Sequence, residues 1–283
     1  MLKEIEVRPA RADDRRAVIA FCQSTFSWGD YIPNVWDDWL ADTNGRMLVG
    51  VIDQQPVGLV HVAFFGADTA WMEGMRVHPD FRRRGVGSAL DSAARALARE
   101  RECQVARLAT SIKNIPAQKT LATERYSCVA QFNEWEAEPT RRKAVTRVAT
   151  RQDAERILAL WRASAANEPS RALLPDRHWR WHELTTARLL DQIDAGEVRV
   201  ADGSFAYLPA FDEKDWSGLS LHALVGNEET AHALALAARA EARYRGYAHV
   251  EALVIDHAPL NAALERAGYR RQGGMFIYEQ TLH

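Results

Sequence analysis

The spacing of apolar residues through the first half of the chain predicts alternating strands and helices. Ile5–Pro9 reads as a short strand. Asp13–Ser24 carries Val18, Ile19, Phe21 and Cys22 at helical intervals, with Asp13 or Asp14 as its cap. Asn34–Leu40 predicts a second helix. Two strands follow, Met47–Ile52 and Pro56–Phe64, joined by the polar turn Asp53–Gln55. Trp71–Val77 predicts another strand. Gly87–Arg101 has an apolar stripe of Leu90, Ala93, Ala94, Leu97 and Ala98, the mark of a long amphipathic helix. Val105–Thr110 reads as a strand, Ile115–Glu124 as a helix and Cys128–Glu134 as a closing strand. The order is β-α-α-β-β-β-α-β-α-β, a mixed α/β arrangement.

The pattern then begins again. Arg8 and Asp14 in VRPARADDRRAVIAF match Arg147 and Asp153 in TRVATRQDAERILAL, each 139 positions on. Tyr31-Ile-Pro33 before Trp36 is echoed by Leu173-Leu-Pro175 before Trp179. Near the two ends, Tyr126 and Tyr269 stand in similar surroundings, 143 positions apart. Likenesses in one order at nearly one offset predict two copies of one fold. The charged run Ala137–Lys143 is the expected seam, giving domains of 1–139 and 140–283. A chain of 283 residues accommodates two such domains comfortably.

Composition narrows the function. Hydrophobic residues make up 47% and charged residues 26% with a net charge of −2, so each half can bury a core and no basic excess suggests nucleic acid. Cys22, Cys103 and Cys128 form no disulfide framework and no metal-ligand spacing, and read as core residues. No stretch of about 18 apolar residues predicts a membrane span, and the charged N-terminus lacks a signal peptide's apolar core. A cytoplasmic protein without metal or membrane partner, monomer or homodimer, is the expectation.

The informative segment is Glu73-Gly-Met-Arg-Val-His-Pro-Asp-Phe-Arg-Arg-Arg-Gly-Val-Gly-Ser-Ala-Leu90. A strand ends near Val77, and a basic turn opens directly into a helix. Gly85 and Gly87 permit positive φ and close ligand approach. Backbone N–H groups at a helix N-terminus, with Arg82, Arg83 and Arg84 beside them, suit a polyanion such as a pyrophosphate. Leu90 stands where a dinucleotide fingerprint needs its third glycine, and no Gly-Lys-Ser/Thr of a nucleotide P-loop is present.

This segment resembles the acyl-CoA loop of the GNAT superfamily of N-acetyltransferases, whose Q/R-x-x-G-x-G/A pattern is filled by Arg82, Gly85 and Gly87. The order of elements through about residue 137 is similar to the family's. The resemblance implies an α/β fold of two tandem GNAT-like domains, each a mixed, mostly antiparallel sheet flanked by helices. It implies acetyl-CoA as cosubstrate and direct transfer to an amine. In that reading backbone groups of Met75, Arg76 and Val77 meet the pantetheine arm, and amides around Arg83, Arg84, Gly85, Val86, Gly87 and Ser88 hold the pyrophosphate. Asn114 stands where the family often contacts the cofactor; it also suits a helix N-cap.

Direct attack needs a neutral amine, so a group must accept its proton. Glu73 is the candidate: a regular strand puts it on one face with Trp71, Met75 and Val77, where desolvation favours a base role. An ion pair with an arginine is the structural alternative. The family's tyrosine, general acid for the departing thiolate, is replaced by Leu121, so either the thiolate leaves unaided or another group protonates it, with Tyr31 and Tyr126 as candidates. The run Phe26-Ser27-Trp28-Gly29-Asp30-Tyr31 offers Trp28, Asp30 and Tyr31 to a cationic or aromatic acceptor; an aromatic core with an Asp turn explains it equally well. The same run faintly resembles acetyltransferases acting on free histidine. A small-molecule amine, with amino acids among the candidates, leads; a protein N-terminus or lysine, and a non-catalytic acetyl-CoA sensor, are the alternatives.

The second copy predicts strands at Glu197–Asp202, Ser204–Ala210 and Ser217–Val225 and a helix at Glu228–Arg245. Its loop reads Gly226-Asn-Glu-Glu-Thr-Ala231, without a G-x-G turn or an arginine. Glu228 and Glu229 in the first turn would repel a pyrophosphate. This half is expected to bind no cofactor and to buttress the first, with Trp179 or Trp181 offered to the acceptor pocket.

Overall fold

A computed structural model describes the chain except for residues 1–3, 24, 26–28, 143–144, 177, 214–215 and 283, and except for the side chains of residues 212, 213 and 216. In the first half the elements are β1 (Glu6–Pro9), α1 (Arg15–Cys22), α2 (Ile32–Ala41), β2 (Gly45–Ile52), β3 (Gln55–Phe65), β4 (Thr69–Val77), α3 (Val86–Glu100), β5 (Val105–Ser111), α4 (Ile115–Thr123) and β6 (Ser127–Ala137). In the second they are β7 (Arg147–Val148), α5 (Ala154–Ala163), β8 (Leu173–Pro175), β9 (Trp181–Glu183), α6 (Thr186–Asp194), β10 (Val198–Ala201), β11 (Ser204–Tyr207), β12 (Ala210–Glu213), β13 (Trp216–Leu221), β14 (Ala223–Val225), α7 (Glu228–Arg245), β15 (His249–Ile255), α8 (Ala258–Arg266) and β16 (Arg270–Thr281). The order expected for the first half is the order observed.

The chain forms two compact units. The first holds residues 1–109, 116–127 and 278–283, and the second 110–115 and 128–277. The first unit's sheet runs β1-β2-β3-β4-β5 and then the last residues of β16, antiparallel except for the parallel β4–β5 pair. In the second unit the rest of β16 is followed by β6, β15, β13 and β12, and a separate sheet runs β14-β11-β10-β7. β6 pairs antiparallel with β15, Phe132 opposite Ile255. The expected division at residues 139 and 140 followed chain order, whereas the final strand of each half is shared out differently. Alternation says which face of a strand is buried, not which strand lies beside it.

Two layers cover the first unit's sheet. Val18, Phe21 and Cys22 of α1 and Ile32, Trp36 and Trp39 of α2 pack with Met47, Val49, Val51 and Leu59. α3 covers the other face through Val86, Leu90, Ala94 and Ala98, each at most 1% exposed. Full burial of a side chain the size of Leu90 contributes about 1.5–3 kcal/mol. Of the cysteines, Cys22 and Cys103 are buried, but Cys128 is exposed, contrary to the core expectation.

The repeated sequence signatures are repeated structures. Arg8 holds Asp14 through two hydrogen bonds of 2.8 Å, and Asp14 also accepts from the Arg11 amide. Arg147 holds Asp153 at 2.7 and 2.6 Å, and Asp153 accepts from the Thr150 amide. Tyr126 and Tyr269 each follow a left-handed residue, Arg125 at φ 66° and Gly268 at φ 82°. Their amides donate to Leu121 and Leu264, five residues back. The third likeness does not hold: residues 32–41 form a helix, whereas Leu173–Pro175 is a strand paired with β9.

Candidate active site

The site is built on β4. Leu59 of β3 stands opposite Arg76, but His61 stands opposite Glu73, so β4 holds one extra residue between them. That bulge centres on Gly74, at φ 67°. A Cβ on Gly74 would fall 2.5 Å from the indole of Trp39, so glycine is required by both conformation and space. The bulge reverses the alternation after Glu73. Glu73 meets His61 on the α2 side of the sheet, whereas Met75 and Val77 are the side chains nearest Gly87 of α3. The expectation that Glu73 shares a face with Met75 and Val77 is thereby corrected.

β4 also parts from its neighbour. It pairs with β5 only through Thr69, Ala70 and Trp71. Among the described residues the β4–β5 pairing stops at Trp71, a parting of two strands that suits an extended ligand. The carbonyl of Met75 accepts from Arg76 at 3.2 Å and that of Val77 from Arg82 at 3.3 Å, both weak bonds at long distance.

The basic turn follows. Arg83 lies at φ 61° and Gly85 at φ 86°, which aims the chain into α3. The first bond of that helix runs from the Ala89 amide to the Gly85 carbonyl, so the amides of Val86, Gly87 and Ser88 precede the hydrogen-bonded ladder. No side chain caps this N-terminus, and its first turn contains no acidic residue. Arg82, Arg83 and Arg84 are exposed beside it, Arg84 with its guanidinium 5.1 Å from the Phe81 ring. An exposed helix start of this kind, flanked by cations, favours a bound anion.

The matching place in the second half is arranged oppositely. The Asn227 side chain accepts from the Thr230 amide at 2.9 Å and so caps α7. Glu228 and Glu229 occupy its first turn and are paired to Arg266 at 2.7 and 3.0 Å. The strand corresponding to β4 is broken into β13 and β14 around His222. Trp181 is fully buried against Phe132, with ring centroids 5.5 Å apart, whereas Trp179 is 44% exposed.

Near Glu73, Arg76 is bound to Asp30 by two bonds of 2.7 and 3.1 Å, and the Asp30 side chain is 1% exposed. Asp30 also accepts from the Ile32 amide at the start of α2. The carboxylate offered by the sequence to a cationic acceptor is therefore committed to Arg76. That guanidinium lies 5.1 Å from the Tyr31 ring, and Trp39 meets Tyr31 edge-on at 6.1 Å. Tyr31 keeps 37% of its surface exposed. Desolvation, with Glu73 and Asp30 nearby, outweighs Arg76 and pushes its hydroxyl above the ordinary tyrosine value. It stays a proton donor through neutral pH. Trp28 lies outside the described residues.

Tyr126 is withdrawn from the acid role. It is 6% exposed and donates to Asp91 at 2.9 Å on the α3 side, and burial beside that carboxylate pushes its hydroxyl far up. Cys22 is likewise unfit as a nucleophile, because burial pushes its thiol up to about 12. Asn114 falls in the second unit, where its amide donates to Thr110 at 3.2 Å. His61, Asp42 and Trp39 were missed by the sequence reading. The signal was a histidine inside the apolar run Pro56–Phe64, which only the strand register connects to Glu73.

Comparison with known proteins bears on the family and the fold. Residues 15–123 match the family model for the acetyltransferase (GNAT) family. No protein of curated function matches the chain. Among solved structures, a GCN5-related N-acetyltransferase from Sphaerobacter thermophilus is similar at 16% identity and a TM-score of 0.69, covering 99% of this chain and 96% of its own. A tandem GNAT protein from the clavulanic acid biosynthesis pathway is similar at 17% identity and a TM-score of 0.61, with 99% of each chain covered. A GCN5-related N-acetyltransferase from Kribbella flavida gives 18% identity and a TM-score of 0.57, over 99% of this chain and 72% of its own. At such identities the likeness is one of fold. The fold is that of two tandem GNAT-like domains.

Proposed function

With residues 15–123 matching the model of the acetyltransferase (GNAT) family, we propose that this chain transfers the acetyl group of acetyl-CoA directly to the amine of a small molecule, amino acids being the first class to test. One observation carries the reading: the uncapped, acid-free start of α3 lies at the end of β4, whose pairing with β5 stops at Trp71 among the described residues. The amides of Val86, Gly87 and Ser88, with Arg82, Arg83 and Arg84, would hold the pyrophosphate. The backbone of Met75 and Val77 would pair with the pantetheine amides.

The chemistry then follows from the residues around the bulge. The amine nitrogen attacks the thioester carbonyl carbon, and the C–S bond breaks as the tetrahedral intermediate collapses. The proton lost by the amine goes to Glu73. The departing thiolate takes its proton from Tyr31, whose hydroxyl remains protonated at neutral pH. A strand amide near Met75 would stabilise the oxyanion. Arg76 contributes its backbone, since its side chain is committed to Asp30.

An acceptor screen over amino acids, polyamines and aminoglycosides, scored by thiol release from acetyl-CoA, tests this. We expect release above background hydrolysis with at least one amine. Tight acetyl-CoA binding with no release for any of them would overturn the small-molecule acceptor and leave a protein N-terminus or lysine as acceptor, or a cofactor-binding regulator.

A further inference from the structure

Glu73 has a neighbour that the reaction scheme leaves without a task. His61 is completely buried in β3 and lies directly across from Glu73 in the strand register. Its Nδ1 is 2.8 Å from Glu73 Oε1. An ionised carboxylate only accepts, so Nδ1 is the donor. The ring is stacked on Trp39 of α2, with centroids 4.6 Å apart and planes 7° from parallel. Its Nε2 sits 3.2 Å from Asp42 Oδ2, just beyond α2, at an angle outside hydrogen-bond geometry. Gly45 leaves room for this contact, since a Cβ there would lie 2.2 Å from Asp42 Oδ2 and 2.8 Å from the imidazole. Burying an imidazole inside an apolar strand is costly unless its partners offset the loss of water. Here three separate elements hold the ring in one orientation.

We propose that His61 is a positioning residue for Glu73, donating from Nδ1 to fix the carboxylate toward the acceptor and to favour its ionised form. The proposal deepens the preceding reading and rests on Glu73 being the base. Among the described residues the charged or titratable groups around this pair include Tyr31, with Arg76 and Asp30 paired to each other beside it, and Asp42 on the far side of the imidazole. His61 is the group whose hydrogen bond to Glu73 Oε1 ties the carboxylate to the helical layer through Trp39. Loss of a donor to a carboxylate disfavours the charged form, so Glu73 would take up its proton at higher pH.

The test follows the Glu73 side-chain carboxyl by carbon NMR in the full chain labelled with 13C-glutamate, the signal being assigned by its loss in Glu73→Gln. In His61→Leu the titration midpoint should rise by roughly 1 pH unit. His61→Gln, which keeps a side-chain N–H, should return most of that shift. Trp39→Leu keeps the imidazole but removes its stacking partner; it should give a smaller shift of the same sign, and serves where His61→Leu does not fold. With an acceptor in hand, His61→Leu should lower kcat by ~10-fold, leave KM for acetyl-CoA unchanged and move the acid limb of the pH profile upward. A midpoint unmoved in His61→Leu and in Trp39→Leu overturns the proposal alone. An acid limb that survives Glu73→Gln overturns the base assignment, and this proposal with it.

Discussion

Without the extra residue at Gly74, Glu73 and Met75 would share one face of β4, as regular alternation predicts. The bulge instead turns Glu73 toward His61 and Trp39 while Met75 points at α3. This is why Glu73 was legible as a candidate base and its surroundings were not: a bulge depends on register, and register on a neighbouring strand. Asp30 shows the same gap. Its place beside Tyr31 was readable, but its bidentate partner Arg76 is 46 positions away. The base assignment makes a clear prediction. Glu73→Gln should lower kcat by about 10² and recover part of the loss at high pH, where the amine sheds its own proton. A pH–rate profile identical to that of the unaltered chain would remove Glu73 from the mechanism.

At the scale of elements, what separates the two halves is how a helix begins. α3 opens on Gly85 with no capping side chain, whereas α7 opens on Asn227, which caps it, followed by two glutamates paired to Arg266. Capping stabilises a helix by about 0.5–2 kcal/mol; α3 forgoes that, and no side chain caps its first amides. This contrast could be read from sequence, because caps and glycines are local signals. Burial alone would raise the carboxyl of Asp14, but the Arg8 bonds and the Arg11 amide outweigh it, so it lies below the ordinary carboxylate value. A depressed carboxylate stabilises the fold above its unfolded pKa, and the gain is lost as pH falls through the lower folded value. Asp14→Asn should therefore cost on the order of 1 kcal/mol at neutral pH, discounted for partial exposure, and progressively less as pH falls through the folded value. Asp153 is depressed too, by Arg147 first and the Thr150 amide next, but Arg147 is 56% exposed against 16% for Arg8. Asp153→Asn should cost less and respond more to salt. Thermal unfolding of both variants across pH and ionic strength checks the ranking; equal losses would mean that burial does not govern these pairs.

At the scale of the whole molecule, duplication was legible because Arg8–Asp14 and Arg147–Asp153 are local devices copied intact. The assignment of final strands was not, since β6 reads as an alternating strand whichever partner it finds. Among the described residues no helix is long and apolar enough to cross a membrane. The two copies have kept the framework and diverged at the loop after the fourth strand: Arg82, Gly85 and Gly87 remain in one, Asn227, Glu228 and Glu229 stand in the other. The central claim is that acetyl-CoA binds once per chain, at the start of α3. Calorimetric titration of the intact chain with acetyl-CoA, repeated on Gly85→Asp, tests it most directly. The variant sets a carboxylate among the pyrophosphate donors and forces a side chain into a positive-φ position. The account predicts a stoichiometry of one for the unaltered chain and no measurable binding in the folded variant. Two sites per chain, or an affinity that Gly85→Asp leaves unchanged, would contradict it.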